Sequence, residues 1–354
     1  MNKYRIVHII NNDKFIKPFI DFVVINFDSS EHLFIFMYGS NEKNIPIPEA
    51  SNIININNIY TGKKNILKLS RHITPYIEHA DKVILHGIFS FDLINYLFLN
   101  KKYLQKCYWV IWGGDLYSHV IFKKTLRTTF YRYRKKAVIK NIGGLVTYIK
   151  GDYELAQDWY GANGKYHECF MYPSNLYKEY KINKKQNKTT NILVGNSATL
   201  TNNHFDAFSK LEKYKDQDVK VIVPLSYGNE VYTKKVINKG RKIFGDKFVP
   251  LIEFMQFDQY LDLLSDIDIA IFNHNRQQAM GNIITLLGLG KKVYMRSDIT
   301  PWEMLKDIGI DVFDIADFSI IPLENDVKKQ NKNIIKEFFS EENYLKQLNT
   351  LFES

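Results

Sequence analysis

The stretch WVIWGGDLYS, Trp109 to Ser118, runs a β-type apolar series into two glycines, a carboxylate and an aromatic ring. Gly113 and Gly114 let the backbone turn sharply and approach a ligand closely. In an open α/β sheet, ligands sit outside the carboxyl ends of the strands. Asp115 therefore stands where a general base would serve, with Tyr117 beside it. An aspartate capping a helix that starts near Leu116 accounts for the same residues. A second run, ILHGIF, ends its strand in His86 and Gly87. A histidine there can act as a base or donate to a phosphate, and a histidine packed under a loop is the competing reading.

The second half of the chain repeats the device. In ILVGNSATLTNNH a strand stops at Gly195, Asn196 and Ser197, just before a helix expected near Asn202 or Asn203. Amides and side chains at such a turn can hold a phosphate at a helix N-terminus; Gly-Asn-Ser is also ordinary turn chemistry. VIVPLSYG brings Tyr227 to another strand end. FNHNRQQAMGN gathers Asn273, Arg276, Gln277, Gln278, Gly281 and Asn282 before an apolar helix. Arg276 can neutralise a pyrophosphate bidentately, and Gly281 allows close approach of the helix start. Neither G-x-G-x-x-G nor a Walker sequence occurs, which disfavours a nicotinamide oxidoreductase. Asp266-x-Asp268 opens a strand, so the pair falls at its amino end, away from a ligand, and no His or Cys cluster has metal spacing. No metal site is expected.

FKKTLRTTFYRYRKKAVIK, residues 122–140, carries Lys123, Lys124, Arg127, Arg132, Arg134, Lys135, Lys136 and Lys140 with no acid, interleaved with aromatic rings. That composition suits an interfacial helix on an anionic membrane. It also suits a nucleic-acid grip or a solvated face with its rings turned inward, and membrane contact is favoured. The net charge of +10 and pI near 9.2 point the same way, toward a polyanionic partner. Cys107 and Cys169 have no metal-type spacing and allow at most one bridge, as in a reducing cytoplasm. No stretch approaches bilayer-spanning length, and the apolar run after the N-terminal basic residues is too short for a signal peptide, so the chain reads as soluble or peripheral.

The elements that must position these residues alternate strand and helix. Expected strands are 5–10, 33–38, 53–56, 82–86, 107–111 and 144–148, then 192–194, 219–224, 248–251, 267–272 and 292–295, each a short apolar run. A polar stretch, YKINKKQNKTTN, separates the two series as a linker. With 354 residues and 45% hydrophobic content, the chain has enough apolar material for two cores. The expected fold is α/β, GT-B, with two Rossmann-like domains facing each other across a cleft. The expected parts are 1–180, 181–335 and a closing helix, 336–354, near the domain junction; in a GT-B transferase the first domain would face acceptor and membrane and the second the nucleotide-sugar.

WGGDLY, ILVGNS, VKVIVPLSY and RQQAMG, in this order and spacing, resemble the TDP-Fuc4NAc transferase family of enterobacterial common antigen synthesis, glycosyltransferase family 56. The resemblance runs from His8 to the FFSEENYL tail. It implies a metal-independent GT-B enzyme with no cofactor. Such an enzyme moves a deoxyamino sugar, Fuc4NAc or a related 4-amino-4,6-dideoxyhexose, from a dTDP-sugar donor to an undecaprenyl-pyrophosphate-linked glycan. The location implied is cytoplasmic and peripheral, on the anionic inner face of the bacterial plasma membrane, with no nucleic-acid partner. Carried over, Gly195, Asn196, Ser197, Tyr227, Arg276, Gln277 and Gln278 belong to the donor side and Asp115 to the cleft face of the N-terminal domain. Gly114 replaces the usual alanine, Ala198 follows GNS, and Asn203 stands where glutamate often precedes the histidine. These departures bear on the sugar and the pathway: common antigen, O-antigen or capsule. The reading is that Asp115 is the general base if the transfer inverts, with His86 next in line, and orients the acceptor if the transfer retains configuration, while Arg276 and the 195–197 turn hold the departing diphosphate. The alternative is a non-catalytic binder of a phosphorylated sugar or nucleic acid.

Overall fold

The computed structural model describes residues 4–38, 46–56, 66–121, 125–180 and 189–354. Contacts divide the chain into one unit of residues 1–175 with 342–354 and a second of 176–341. The first carries a seven-stranded parallel sheet, β3-β2-β1-β4-β5-β6-β7. Its strands are β1 (Ile6–Asn11), β2 (His32–Tyr38), β3 (Ile53–Asn55), β4 (Lys82–His86), β5 (Cys107–Val110), β6 (Gly144–Val146) and β7 (Lys165–His167). The second carries a six-stranded parallel sheet, β10-β9-β8-β11-β12-β13. Its strands are β8 (Thr190–Val194), β9 (Val219–Pro224), β10 (Phe248–Leu251), β11 (Ile269–Phe272), β12 (Lys292–Met295) and β13 (Phe313–Asp314).

The central strands are apolar without alternation because helices cover both faces of a parallel sheet. Val7, Ile9, Val83, Leu85 and Trp109 enter one core, and Ile192, Val194, Val221 and Ile271 enter the other. Two strands escape sequence reading: β7, Lys-Tyr-His, and β13, Phe-Asp. Both are edge strands of three residues or fewer, too short for an apolar run to mark them.

Strand order reverses once in each sheet, between β1 and β4 and between β8 and β11. Neighbouring connections leave in opposite directions at these points, and the loops outside the carboxyl ends open a crevice there. In the first unit these loops follow Asn11 and His86; in the second they follow Val194 and Phe272.

The closing helix, Glu341–Glu353, returns to the first unit from residue 342 onward. Tyr344, Leu348, Leu351 and Phe352 are buried, and Phe352 packs edge-on against His32 at 4.7 Å. Tyr344 donates to the Met171 carbonyl at 2.8 Å, and Gln347 accepts from the Phe170 amide at 3.0 Å. Lys82 Nζ donates to the Leu351 carbonyl and Arg5 to that of Phe352 at 3.3 Å. Two cations thus meet the negative end of the helix dipole. Leu348→Ala should therefore cost about 2–5 kcal/mol of first-unit stability through an unfilled cavity. Three of the four tryptophans, Trp109, Trp112 and Trp159, lie in this unit, so urea unfolding followed by tryptophan fluorescence reports chiefly on it. An unchanged midpoint would detach the helix from this core.

Candidate functional sites at the two strand-order reversals

In the second unit, β8 gives way to Gly195, with φ +72°. A Cβ there would lie 2.6 Å from Asn202 Oδ1 and 2.8 Å from His204 Nε2, so only glycine fits. Asn202 then organises the turn: Oδ1 accepts from the Asn196 amide at 2.9 Å, and Nδ2 donates to Thr199 Oγ1 at 2.7 Å and Ser197 Oγ at 3.2 Å. Asn196 Nδ2 donates to the Tyr227 hydroxyl at 2.8 Å. Across the reversal, Gln278 Nε2 donates to Asn196 Oδ1 at 2.9 Å, and Gln278 Oε1 accepts from Thr201 at 2.7 Å. The loop after β11 is thereby tied to the loop after β8.

The same loop carries Arg276, whose Nη1 donates to the Gln277 carbonyl at 2.8 Å, and Gln277, whose Oε1 is buried with no hydrogen-bond partner among the described residues. Ala279 adopts φ +60°, a conformation that costs a non-glycine residue about 1–3 kcal/mol and tends to occur at working sites. It begins the helix Met280–Gly288, which no side chain caps. The first-turn amides of this helix suit an anion. Gly281 lies in that turn, and Asn282 donates to Tyr260 Oη at 3.0 Å.

The expected donor-side residues lie in the loops after β8, β9 and β11 and at this helix start, but their tasks differ. Ser197 and Asn273 are fully buried and brace the loops: Asn273 Nδ2 donates to Asp206 Oδ2 at 2.8 Å. His274 is buried against Asn202 Oδ1 at 2.9 Å, and burial lowers its pKa to about 3. Thr199, Thr201 and Asn202 escaped notice in the sequence because TLTNN reads as a plain polar turn. Asp266 and Asp268 brace the amino end of β11: Asp268 Oδ2 accepts from the Asn191 amide at 2.9 Å.

In the first unit, the structure corrects the role expected of Asp115. Its side chain is completely buried. Oδ2 accepts from the Ile88 amide at 3.0 Å and Trp109 Nε1 at 2.6 Å; Oδ1 accepts from the amides of Trp112 at 3.0 Å and Leu116 at 2.9 Å. Four donors occupy both oxygens, so Asp115 clamps the loops after β4 and β5 and is not placed to take a substrate proton. Nor does its side chain cap the short helix Ser118–Ile121. Gly113, φ +76°, makes the turn, and Tyr117 packs edge-on against Trp159 at 5.0 Å.

His86 is likewise corrected. It is buried, with Nε2 bonded to His8 Nδ1 at 3.1 Å and Nδ1 to Tyr172 Oη at 2.8 Å. His8 continues to His32 at 3.0 Å, and Trp112 Nε1 donates to Tyr172 Oη at 2.9 Å. Burial lowers the pKa of His86 to about 3 and of His32 to about 4, and holds His8 well below its usual range. Three neutral imidazoles and a phenol form a satisfied chain through the core.

The basic segment forms the helix Leu126–Asn141; Phe122, Lys123 and Lys124 lie outside the described residues. Lys135 is corrected: it is buried, its Nζ donating to the Asp115 carbonyl at 2.5 Å and Ser118 Oγ at 2.8 Å, and burial lowers its pKa to about 8. Tyr131 also turns inward and stacks on Phe91 at 4.0 Å. Arg134 donates to Asn95 Oδ1 at 2.6 Å, and Arg132 is half-buried. The outward face keeps Leu126, Phe130 and Tyr133, all more than 60% exposed, with exposed Arg127, Lys136 and Lys140.

The sequence profile of the family described as 4-alpha-L-fucosyltransferase, glycosyl transferase group 56, matches residues 6–353. The chain belongs to this glycosyltransferase family. Solved structures are similar across nearly its whole length. Sucrose-phosphate synthase from Thermosynechococcus elongatus superposes with a TM-score of 0.71 at 9% identity, covering 99% of this chain and 98% of that one. WaaG, a glycosyltransferase involved in lipopolysaccharide biosynthesis, gives 0.61 at 10% identity, covering 99% and 95%. A trehalose-6-phosphate structure from E. coli bound with UDP-2-fluoro glucose gives 0.64 at 9% identity, covering 99% of both. The fold of this glycosyltransferase is GT-B, and its family implies a nucleotide-sugar donor and a glycan acceptor.

Asp115→Asn turns an NH2 toward two N–H donors, so it should cost about 1–3 kcal/mol for each donor left unpaired. Chemical denaturation reads the loss; a stable but slow enzyme would restore the base assignment. Folded-state pKa values of His32, His86, His204 and His274 lie at about 3–4, below the ordinary 6.5, chiefly through burial. Below pH 6.5 the unfolded chain takes up protons that the folded chain refuses, so stability is full above 6.5 and falls as pH drops toward 4. Denaturation midpoints that stay level between pH 6.5 and 4.5 would contradict this.

Proposed function

We propose that this glycosyltransferase moves a 4-amino-4,6-dideoxyhexose of the Fuc4NAc type from a dTDP-sugar to an undecaprenyl-pyrophosphate-linked glycan, without a metal ion. The four co-linear motifs support the sugar and acceptor class. The observation that carries the reading is the convergence of Arg276, Gln277, Gln278 and the uncapped helix start at Met280 on one strand-order reversal. Negative charge develops on the leaving diphosphate as the glycosidic bond breaks. A guanidinium and oriented amides stabilise that charge electrostatically, in place of a cation. The alternative, a non-catalytic binder of a phosphorylated sugar or nucleic acid, binds the nucleotide but releases none from a dTDP-sugar.

Among the described residues no helix is long and apolar enough to cross a membrane. We infer that the enzyme reaches its lipid-linked acceptor through the outer face of the Leu126–Asn141 helix. Leu126, Phe130 and Tyr133 recur at the i, i+4, i+7 spacing of one helix face, and cations flank them. Each Lys or Arg near an anionic surface contributes about 1 kcal/mol, screened by salt.

A panel of dTDP- and UDP-sugars should give nucleotide release with a dTDP-linked deoxyamino sugar, undiminished in excess EDTA; loss of activity that Mg²⁺ or Mn²⁺ restores would refute the metal-free assignment. Arg276→Ala should weaken dTDP binding by about 1.5–3 kcal/mol, the worth of a charge-assisted hydrogen bond, and unchanged calorimetric affinity would sink that role. Leu126→Ser combined with Phe130→Ser should reduce co-sedimentation with anionic vesicles while sparing activity on a short water-soluble acceptor. Equal co-sedimentation of both proteins would place the membrane contact elsewhere.

A further inference from the structure

With Asp115 and His86 committed to internal bonds, the carboxyl end of the first sheet needs another proton acceptor. The strand-order reversal between β1 and β4 has two loops. The loop after β1 carries Asn12, Asp13, Lys14 and Phe15 and leads into the helix Ile16–Asn26. Asn12 is buried, whereas Asp13 is half-buried and reaches the surface. The Phe15 amide donates to Asp13 Oδ1 at 3.3 Å, and the Ile16 amide donates to the Asp13 carbonyl at 3.0 Å. The carboxylate is thus held at the head of the helix.

Phe15, whose amide donates to the carboxylate, belongs to an aromatic cluster. Phe15 meets Trp112 edge-on at 5.9 Å and Tyr172 at 6.1 Å, and Phe89, from the loop after β4, meets Trp112 edge-on at 5.9 Å. Phe89 is 41% exposed, and Phe15 and Trp112 are half-buried. The Asp13 carboxylate lies near enough to Tyr172 that its charge acts on that hydroxyl, whose pKa is raised first by burial. A sugar ring offers apolar C–H faces and hydroxyl edges. Aromatic rings beside a carboxylate at a ligand crevice match both.

We propose that Asp13 is the general base of the transfer, with Phe15, Phe89 and Trp112 forming the platform for the acceptor sugar. This rests on the glycosyltransferase reading above. The attacking acceptor hydroxyl gives its proton to the Asp13 carboxylate as its oxygen bonds to the donor's anomeric carbon. The bond from that carbon to the phosphate oxygen breaks, and its electron pair leaves with the nucleotide diphosphate. The protonated Asp13 then returns its proton to water. Displacement of this kind inverts the anomeric centre.

The test compares wild type, Asp13→Asn and Asp13→Glu with the dTDP-sugar that wild type uses and a water-soluble acceptor. Asp13→Asn should lower kcat by roughly 10²-fold or more, with dTDP affinity and thermal midpoint unchanged. Asp13→Glu should recover part of the rate, and the wild-type product should be inverted relative to the donor. An Asp13→Asn kcat within threefold of wild type, or a product of retained configuration, overturns the assignment while leaving glycosyl transfer standing. Absence of transfer by wild type across the whole donor panel removes the functional reading and the base with it. If Asp13→Asn does not fold, Asp13→Ser assayed with added formate replaces it: rate restored by formate supports the base, and a full rate without formate overturns it.

Discussion

A single buried carboxylate organises the carboxyl end of the first sheet. Asp115 carries its charge into an interior that would normally exclude it, and four N–H groups from three segments make that tolerable. Each charge-assisted bond is worth about 1.5–3 kcal/mol, and leaving such a charge unpaired would cost more than it returns. The loops after β4 and β5 cannot move apart without exposing that cost. Lys135 strengthens the arrangement from below, gripping the Asp115 carbonyl with a buried ammonium. Gly87 and Gly113 turn with positive φ, which brings the Ile88 and Trp112 amides onto the carboxylate. Phe89 and Trp112, the rings offered to a sugar, sit on the two loops this clamp fixes.

The second unit solves the same geometric problem chiefly with neutral groups. Asn202 and Gln278 are primary amides, each able to donate and accept at once. Asn202 gathers the turn after β8, and Gln278 carries the link across to the loop after β11. A neutral network leaves the local field to Arg276 and the helix dipole, which suits a site meant for an anion. A buried carboxylate like Asp115 would repel a diphosphate. On the proposed assignment, an acid braces the unit that takes the acceptor, and amides brace the unit that takes the nucleotide.

The histidine chain from His32 through His8 and His86 to Tyr172 has a different meaning. Each neutral imidazole has one donor and one acceptor, so a line of them satisfies itself without leaving an unpaired polar atom. It crosses a core otherwise built of Phe19, Phe34 and Phe352, and it ends on Tyr172, under Trp112. The closing helix supplies Phe352 to this packing, which links the end of the chain to its first strand.

The parallel α/β units, their main strands and the polar loops at the strands' carboxyl ends were legible in the sequence. Apolar runs ending in glycine mark buried strands and their turns, and the order of WGGDLY, ILVGNS and RQQAMG carries the family. Polar residues at strand ends can be located that way because parallel topology sends every carboxyl end to one edge. Sequence could not tell which of them faces outward. Asp115 and Asp13 both follow strands, yet one is sealed by four donors and the other is half-exposed, a difference made by segments distant in the chain. Lys135 looked like its basic neighbours until the helix turned it onto the Asp115 carbonyl. The return of the last helix to the first unit was equally hidden, since its amphipathic pattern names a buried face but not the surface that covers it. Local sequence fixes periodicity and turn chemistry; the burial and partners of a charged side chain depend on nonlocal contacts, which only the folded chain creates.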